Sequence, residues 1–434
     1  MSTTPTATGT NLQISTDAQF SNIVNEDDGT YRTTQPFSRG ALPYNKTLYC
    51  RVRHSSDVGG ISKWSKTVSF QVQPPDDIIG VAINNSNSSS KGTVFWIDAN
   101  GNKLSSFNAY EHPTWKGCKM VTVDSRAPVT LTAIPRFYIK TAASGPAGSD
   151  AAGLKCWWLS PTPEDGFRPH PAFKRSASNL SDYCYIGTYL GHAETVSSKT
   201  CLGSKVGQTV LANTTKDAFR TYITNRNNSS YVTGMRMFDI YDLSVMRWLA
   251  LIHWANTDTQ TTYGDNAAGT AYPKTGSTNA RMWFNSAKTV TIEDCWRCYW
   301  YHADLITVNN GVVSLNDPRD TSKVLSFGSA ETARYRQPTS SGWIRDVLDC
   351  PYTIGSDVHD LMELFLPGSI TSSESLGTFS DYHYVPSLHN QVYIVVGHRW
   401  GYGGDLYWPG VFYSDWWGLG TSYQLDVGCR LSKT

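Results

Sequence analysis

Few side chains of the 434-residue chain have the types and spacing that chemistry needs. Cys295-Trp-Arg-Cys298 followed by His302 has the outline of half a zinc site, because thiolate and imidazole are natural tetrahedral zinc ligands. A structural site takes about four ligands, and no second Cys-x-x-Cys or His-x-x-x-His lies near. These cysteines therefore read as free thiols on strands, packing as small hydrophobes. Asp357, His359, Asp360 and Glu363 in GSDVHDLMELF offer donors for a cation, but their spacing is that of no recognised oxygen-ligand loop. The segment reads as a polar turn before a short apolar run. His170 sits between two prolines in GFRPHPAF. As a general base it would need a positioned partner and a nucleophile, so it reads as a structural histidine fixing a rigid segment. No GxSxG, HExxH or Walker-type loop occurs. The expectation is no catalytic residue, no metal and no cofactor.

The densest grouping is aromatic. GHRWGYGGDLYWPGVFYSDWWGLG, Gly397 to Gly420, holds eight rings, seven glycines and no lysine. If Val411 to Tyr413 is strand, only one of its faces is core, so Phe412, and with it Trp400, reads as apolar filling. Tyr402, Tyr407, Trp408, Trp416 and Trp417 stand among Gly, Pro and Asp, which predicts surface loops. Exposed Tyr and Trp give large contact area at low entropy cost and dominate binding hot spots. The expected contact set is Trp400, Tyr402, Asp405, Tyr407, Trp408, Tyr413, Asp415, Trp416, Trp417 and Tyr423, with His398 and Arg399 as weaker additions. Asp405 and Asp415 are the carboxylate pair nearest the rings, which glycan hydrolysis would require.

Composition sets the frame for these groups. Charged residues make up 17%, aromatics 12%, and the net charge is +1, so no general attraction to nucleic acid or to an anionic membrane is built in. No run of about 18 apolar residues occurs, and membrane insertion is not expected. MSTTPTATGTNLQ has neither a basic nor an apolar region of a secretory signal. Nine cysteines, an odd number and widely spaced, predict reduced thiols made in a cytoplasm.

Three units are expected, together α+β. Residues 1–76 alternate in period two. Leu48, Cys50 and Val52 face one way, while Tyr49, Arg51 and Arg53 face the other, until Pro74-Pro75 ends the last strand. Residues 77–160 form a β-rich connecting domain, with a hairpin turn at Asn100-Gly101 and a strand pair broken at Pro135. Residues 161–434 add two helices to many irregular strands. One helix is capped within Asn213-Thr214-Thr215; the other runs from about Leu243 to Asn256 and is apolar on most sides, hence buried.

Two resemblances follow from particular residues. The Leu42-Pro43 turn, the Tyr49-to-Arg53 strand and Trp64-Ser65 resemble a fibronectin type III module, which implies a small all-β sandwich at 1–76. GFRPHPAF, YIGTYLG, WLALIHWANTDTQTTYG, GYGGDLYWPGVFYSDW and the terminal VGCRL, in that order, resemble bacteriophage tail adhesins and the variable proteins of diversity-generating retroelements. The resemblance covers about Phe167 to Leu431 and implies a C-type-lectin-like domain whose loops before the last strand contact the ligand. It departs from that pattern at Cys429, which replaces a bulkier residue, and over residues 264–396, which read as a long insertion. The implied function is a tail-fibre or tail-tip receptor-binding protein of the virion, not an enzyme. Its partners would be a bacterial surface glycan or protein and other phage tail proteins, in a homo-oligomer. The alternatives are a virion-associated glycan-degrading enzyme and a structural tail component without receptor contact.

Overall fold

The computed structural model describes residues 6–35, 37, 41–43, 46–72, 77–85, 90–258, 274–276, 281–293, 295, 300–309, 311–325, 327, 336–379, 381–385, 393–397, 412, 414–417 and 427–434; for 300, 393–397 and 414–417 this is the backbone course. Strands predominate, and three α-helices lie among the described residues, an α+β content.

The first strands behave as their alternation dictates. Thr47–Ser56 pairs along its length with Ala7–Ser15, setting Val52 opposite Leu12 and Cys50 opposite Ile14. On its other side Leu48 stands opposite Phe70. Paired residues share a face, so these side chains form one apolar surface, whose buried centre is Ile14, Leu42 and Leu48. The opposite face is a ladder of rings and cations. The Arg51 guanidinium lies 4.0 Å from the Phe20 ring centre and 4.4 Å from that of Trp64, and Arg53 lies 4.3 Å from Trp64. The described strands of 6–72 join one five-stranded sheet rather than the two of a sandwich. Thr47–Ser56 is long enough to hold Gly60–Ile61 and Val68–Gln71 in succession along one side.

Beyond residue 77 two further five-stranded sheets form. One has the order Arg168–Pro169, Tyr138–Ala142, Lys155–Ser160, Ile79–Asn84, Thr93–Ile97. Asn100-Gly101 makes the expected turn, with Gly101 at φ +84° and Ile97 bridged to Lys103. The other sheet has the order Met235–Met237, Leu431–Lys433, Tyr183–Gly187, Val129–Pro135, Lys119–Val123. Pro135 ends one strand and Tyr138 begins the next, in a different sheet, as a proline-broken pair requires. A seven-stranded sheet follows in the order Pro367–Thr371, Gly342–Val347, Tyr382–Tyr384, Ser414–Trp417, Tyr393–Gly397, Trp300–His302, Val427–Gly428.

Helix α1 is a single turn, Pro113–Lys116. Helix α2, Lys216–Arg226, starts where the hydroxyl of Thr215 accepts from the Ala218 amide. Helix α3 runs Ile240–Trp254, three residues earlier than its apolar pattern predicts, because Asp239 and Asp242 form a capping box. Every α3 residue from Ile240 to Ile252 is buried. Around α3 lies one apolar core drawn from both sides of residue 160, including Ile79, Trp157, Trp248, Ile344, Phe365 and Phe412. Trp96 Nε1 donates to Ile252 O at 2.7 Å, and Trp157 Nε1 to Met362 O at 3.1 Å. Leu361, Met362 and Leu364, within the stretch read as an insertion, are part of this core.

Candidate binding face

Among the described residues, the side chains singled out for chemistry are engaged in structural contacts. His170 is fully buried, and burial pulls its pKa down to about 3, so the ring is neutral. Its Nδ1 accepts from the Ala172 amide at 3.2 Å, so Nε2 carries the proton and donates to Ser244 Oγ at 2.9 Å. Ser244 in turn donates to the Glu363 carbonyl. A hydroxyl that gives its proton to a carbonyl and faces a protonated nitrogen is no nucleophile. Burial works to raise the Glu363 pKa, yet His359 and Arg168 hold it down to about 2. Arg168 Nε is 2.8 Å from Glu363 Oε1, and His359 Nδ1 is 2.9 Å from Oε2. Burial lowers the His359 pKa, so the contact is a neutral N–H donating to a carboxylate, and Arg168 is the counter-ion. Asp360 caps the turn Leu361–Leu364, accepting from the Met362 amide at 2.8 Å, and Lys174 pairs with Asp357. Cys295 Sγ donates to Ile292 O at 3.2 Å, and His302 is buried against the Phe219 ring. Cys298 lies outside the described residues. Among the described residues no three His, Cys, Asp or Glu side chains converge as a metal site would need.

Three polar cavities of about 270, 230 and 210 Å³ lie beside Lys216, Lys155 and Lys174. Each lysine is paired with an aspartate, Asp304, Asp346 and Asp357 respectively. Ligand pockets are usually larger, about 300 to 1,000 Å³, and mainly apolar.

A different arrangement stands on the seven-stranded sheet. Along Gly342–Val347 and Tyr382–Tyr384 burial alternates: Gly342, Ile344 and His383 are buried, while Trp343, Tyr382 and Tyr384 are half-exposed. Trp343 pairs with Tyr382 across the two strands, and their rings meet edge to face at 5.4 Å and 83°. The backs of the strands are pinned. His383, neutral because burial draws its pKa down to about 4, meets Pro338 O at 3.0 Å through Nε2. Ser341 Oγ accepts from the Val385 amide at 2.8 Å. Gly342 is required here, since a Cβ would stand 2.9 Å from Ile370 Cδ1 and from Thr371 O. The result is a sheet face carrying the half-buried rings of Trp343, Tyr382 and Tyr384.

The C-terminal aromatic segment joins this sheet. Phe412 is buried, as its reading as core predicts; its amide donates to Asp381 Oδ2 at 2.8 Å and its carbonyl accepts from Arg247 at 3.3 Å. From there Ser414–Trp417 runs as an inner strand, parallel to Tyr382–Tyr384 and antiparallel to Tyr393–Gly397. The loop expected at Trp416 and Trp417 is therefore corrected to strand, because a backbone flanked on both sides takes the ladder whatever its glycine-rich surroundings. Asp415 stands opposite Tyr384 and Val395, and Trp417 opposite Tyr393, so positions 415 and 417 share the sheet face of Tyr382 and Tyr384. Positions 414 and 416 fall on the face of buried His383. Trp400, Tyr402, Asp405, Tyr407, Trp408, Tyr413 and Tyr423 lie outside the described residues. Trp343, Tyr382 and Tyr384 were missed in sequence, although Tyr-His-Tyr and Gly-Trp-Ile carry the period-two signal.

No protein-family model matches the chain, and no curated protein matches it.

Proposed function

We propose that the chain is a bacteriophage receptor-binding tail protein, carried on the virion, that grips the bacterial surface through this aromatic face. The observation that carries the reading is the half-exposed Trp343–Tyr382 pair with Tyr384, on the same sheet face as positions 415 and 417 of the C-terminal segment. Rings fixed on strands stack against sugar C–H faces or an apolar protein patch, and the phenol groups orient the contact. Recognition of this kind needs no reacting group.

The ordered motifs of 167–431 support a C-type-lectin-like domain. So does the closure of the chain on itself: buried Arg430 donates to Gly187 O at 2.6 Å, and Leu431–Lys433 pairs beside Tyr183–Gly187. The single five-stranded sheet of residues 6–72 would attach or space that domain to other tail proteins. Several weak sites on one homo-oligomeric virion component would act by avidity.

The test is adsorption of the fluorescently tagged full chain to a panel of intact bacteria. At least one host should bind it. Trp343→Ala with Tyr382→Ala and Tyr384→Ala should lower that binding about tenfold or more while the fold persists. Unchanged adsorption by the triple variant, or release of sugar from the envelope, defeats the reading.

A further inference from the structure

The sheet of residues 6–72 has two edges of opposite character. Ile23–Thr30 forms one edge, and its sequence IVNEDDGT carries Glu26, Asp27 and Asp28 with no basic residue. The other edge runs from Gly60 to Gln71, GISKWSKTVSFQ, and carries Lys63 and Lys66 with no acidic residue. Glu26, Asp28, Lys63 and Lys66 are exposed, Glu26 also accepting from Gln13 Nε2 at 2.7 Å; Asp27 is engaged by Arg32 at 3.2 Å. The second edge also leaves Ile61 65% and Val68 61% exposed. Among the described residues, each of these edge strands is paired on one side alone. Free edges are templates for another strand, and charge normally decides which strand is admitted.

Strand direction fits the charges. Ile23–Thr30 is antiparallel to Ala7–Ser15, which is antiparallel to Thr47–Ser56, which is antiparallel to Val68–Gln71. The two edges therefore run in opposite directions. A second copy set beside the first in the same orientation meets it antiparallel, continuing the pattern within the sheet. Pairing like edges instead sets acid against acid or lysine against lysine, which is unfavourable. We propose that this sheet binds a second copy of the chain head to tail, the acidic edge Ile23–Thr30 of one copy extending the basic edge Gly60–Gln71 of the next. Such a heterologous contact closes into a ring or continues as a filament. It is independent of the aromatic face.

Sedimentation velocity on the full chain at about 0.05 M and about 0.5 M salt tests it, since exposed charge pairs are screened at the higher value. Wild type should associate at low salt and weaken at high salt. Lys63→Glu with Lys66→Glu, and separately Glu26→Lys with Asp28→Lys, should each weaken association about tenfold or more. An equimolar mixture of the two variants, or the fourfold swap in one chain, should restore it. Circular dichroism verifies that these exposed substitutions keep the fold. A monomeric wild type at low salt, association indifferent to both reversals, or failure of the swap to restore it overturns the proposal.

Discussion

The Phe412 amide donates to the Asp381 carboxylate at 2.8 Å, tying the chain two residues before the inner strand Ser414–Trp417 to the residue that leads into the neighbouring strand Tyr382–Tyr384. Arg247 of α3 donates to the Phe412 carbonyl at 3.3 Å and feels the Asp381 charge, so the buried helix and the C-terminal segment share one anchor.

Replacing Asp381 with Ala leaves that amide unpaired and takes a nearby anion from buried Arg247. Losses of this kind cost about 2 to 4 kcal/mol. Urea unfolding should show a lower midpoint, and adsorption should weaken in parallel. A midpoint equal to wild type would refute the anchor.

Two tryptophans should separate stability from binding. Trp248 is fully buried, and its Nε1 donates to Glu363 O at 2.9 Å. Trp248→Ala should destabilise the protein by about 3 to 5 kcal/mol. Trp343→Ala, on the half-exposed face, should cost about 1 kcal/mol in the same assay and yet lose adsorption.

Acid should unfold the chain through its buried histidines. Burial draws the pKa of His170 and His302 down to about 3, and of His253 and His383 to about 4. The unfolded chain binds these protons below about pH 6.5 while the folded chain does not, so stability is full above that value. It falls as pH drops from about 6.5 towards 4, by up to about 1.4 kcal/mol per pH unit for each histidine. Glu363, held down to about 2 by His359 and Arg168 against the effect of burial, adds a loss below about pH 4.5. Thermal melts across pH 4 to 8 would register this. A melting temperature flat between pH 7 and pH 5 contradicts it.

Thiol labelling should be selective. Cys118, Cys156, Cys184, Cys201, Cys295, Cys350 and Cys429 are buried, and Cys50 is half-exposed. Burial pushes the Cys156 thiol up to about 12, further reducing its reactivity. Brief iodoacetamide treatment followed by peptide mass mapping should find Cys50 modified first among these eight. Equal labelling of Cys156 would mean the strand Lys155–Ser160 opens readily.

What the sequence by itself determined is local. The alternation of Leu48, Cys50 and Val52, the turn at Asn100-Gly101, the cap at Thr215 and the all-round apolar helix α3 each depend on neighbours along the chain, and each is present. Even there the start of α3 was missed, because Asp239 caps through its side chain rather than through periodicity. Only the tertiary structure decided the rest. Glu363 meets Arg168 across 195 residues, the Tyr-His-Tyr strand meets Trp343, and Asp415 to Trp417 lie in a strand with partners on both sides. A side chain's face is set by which strand lies beside it and in what register, and residues far apart in sequence fix both.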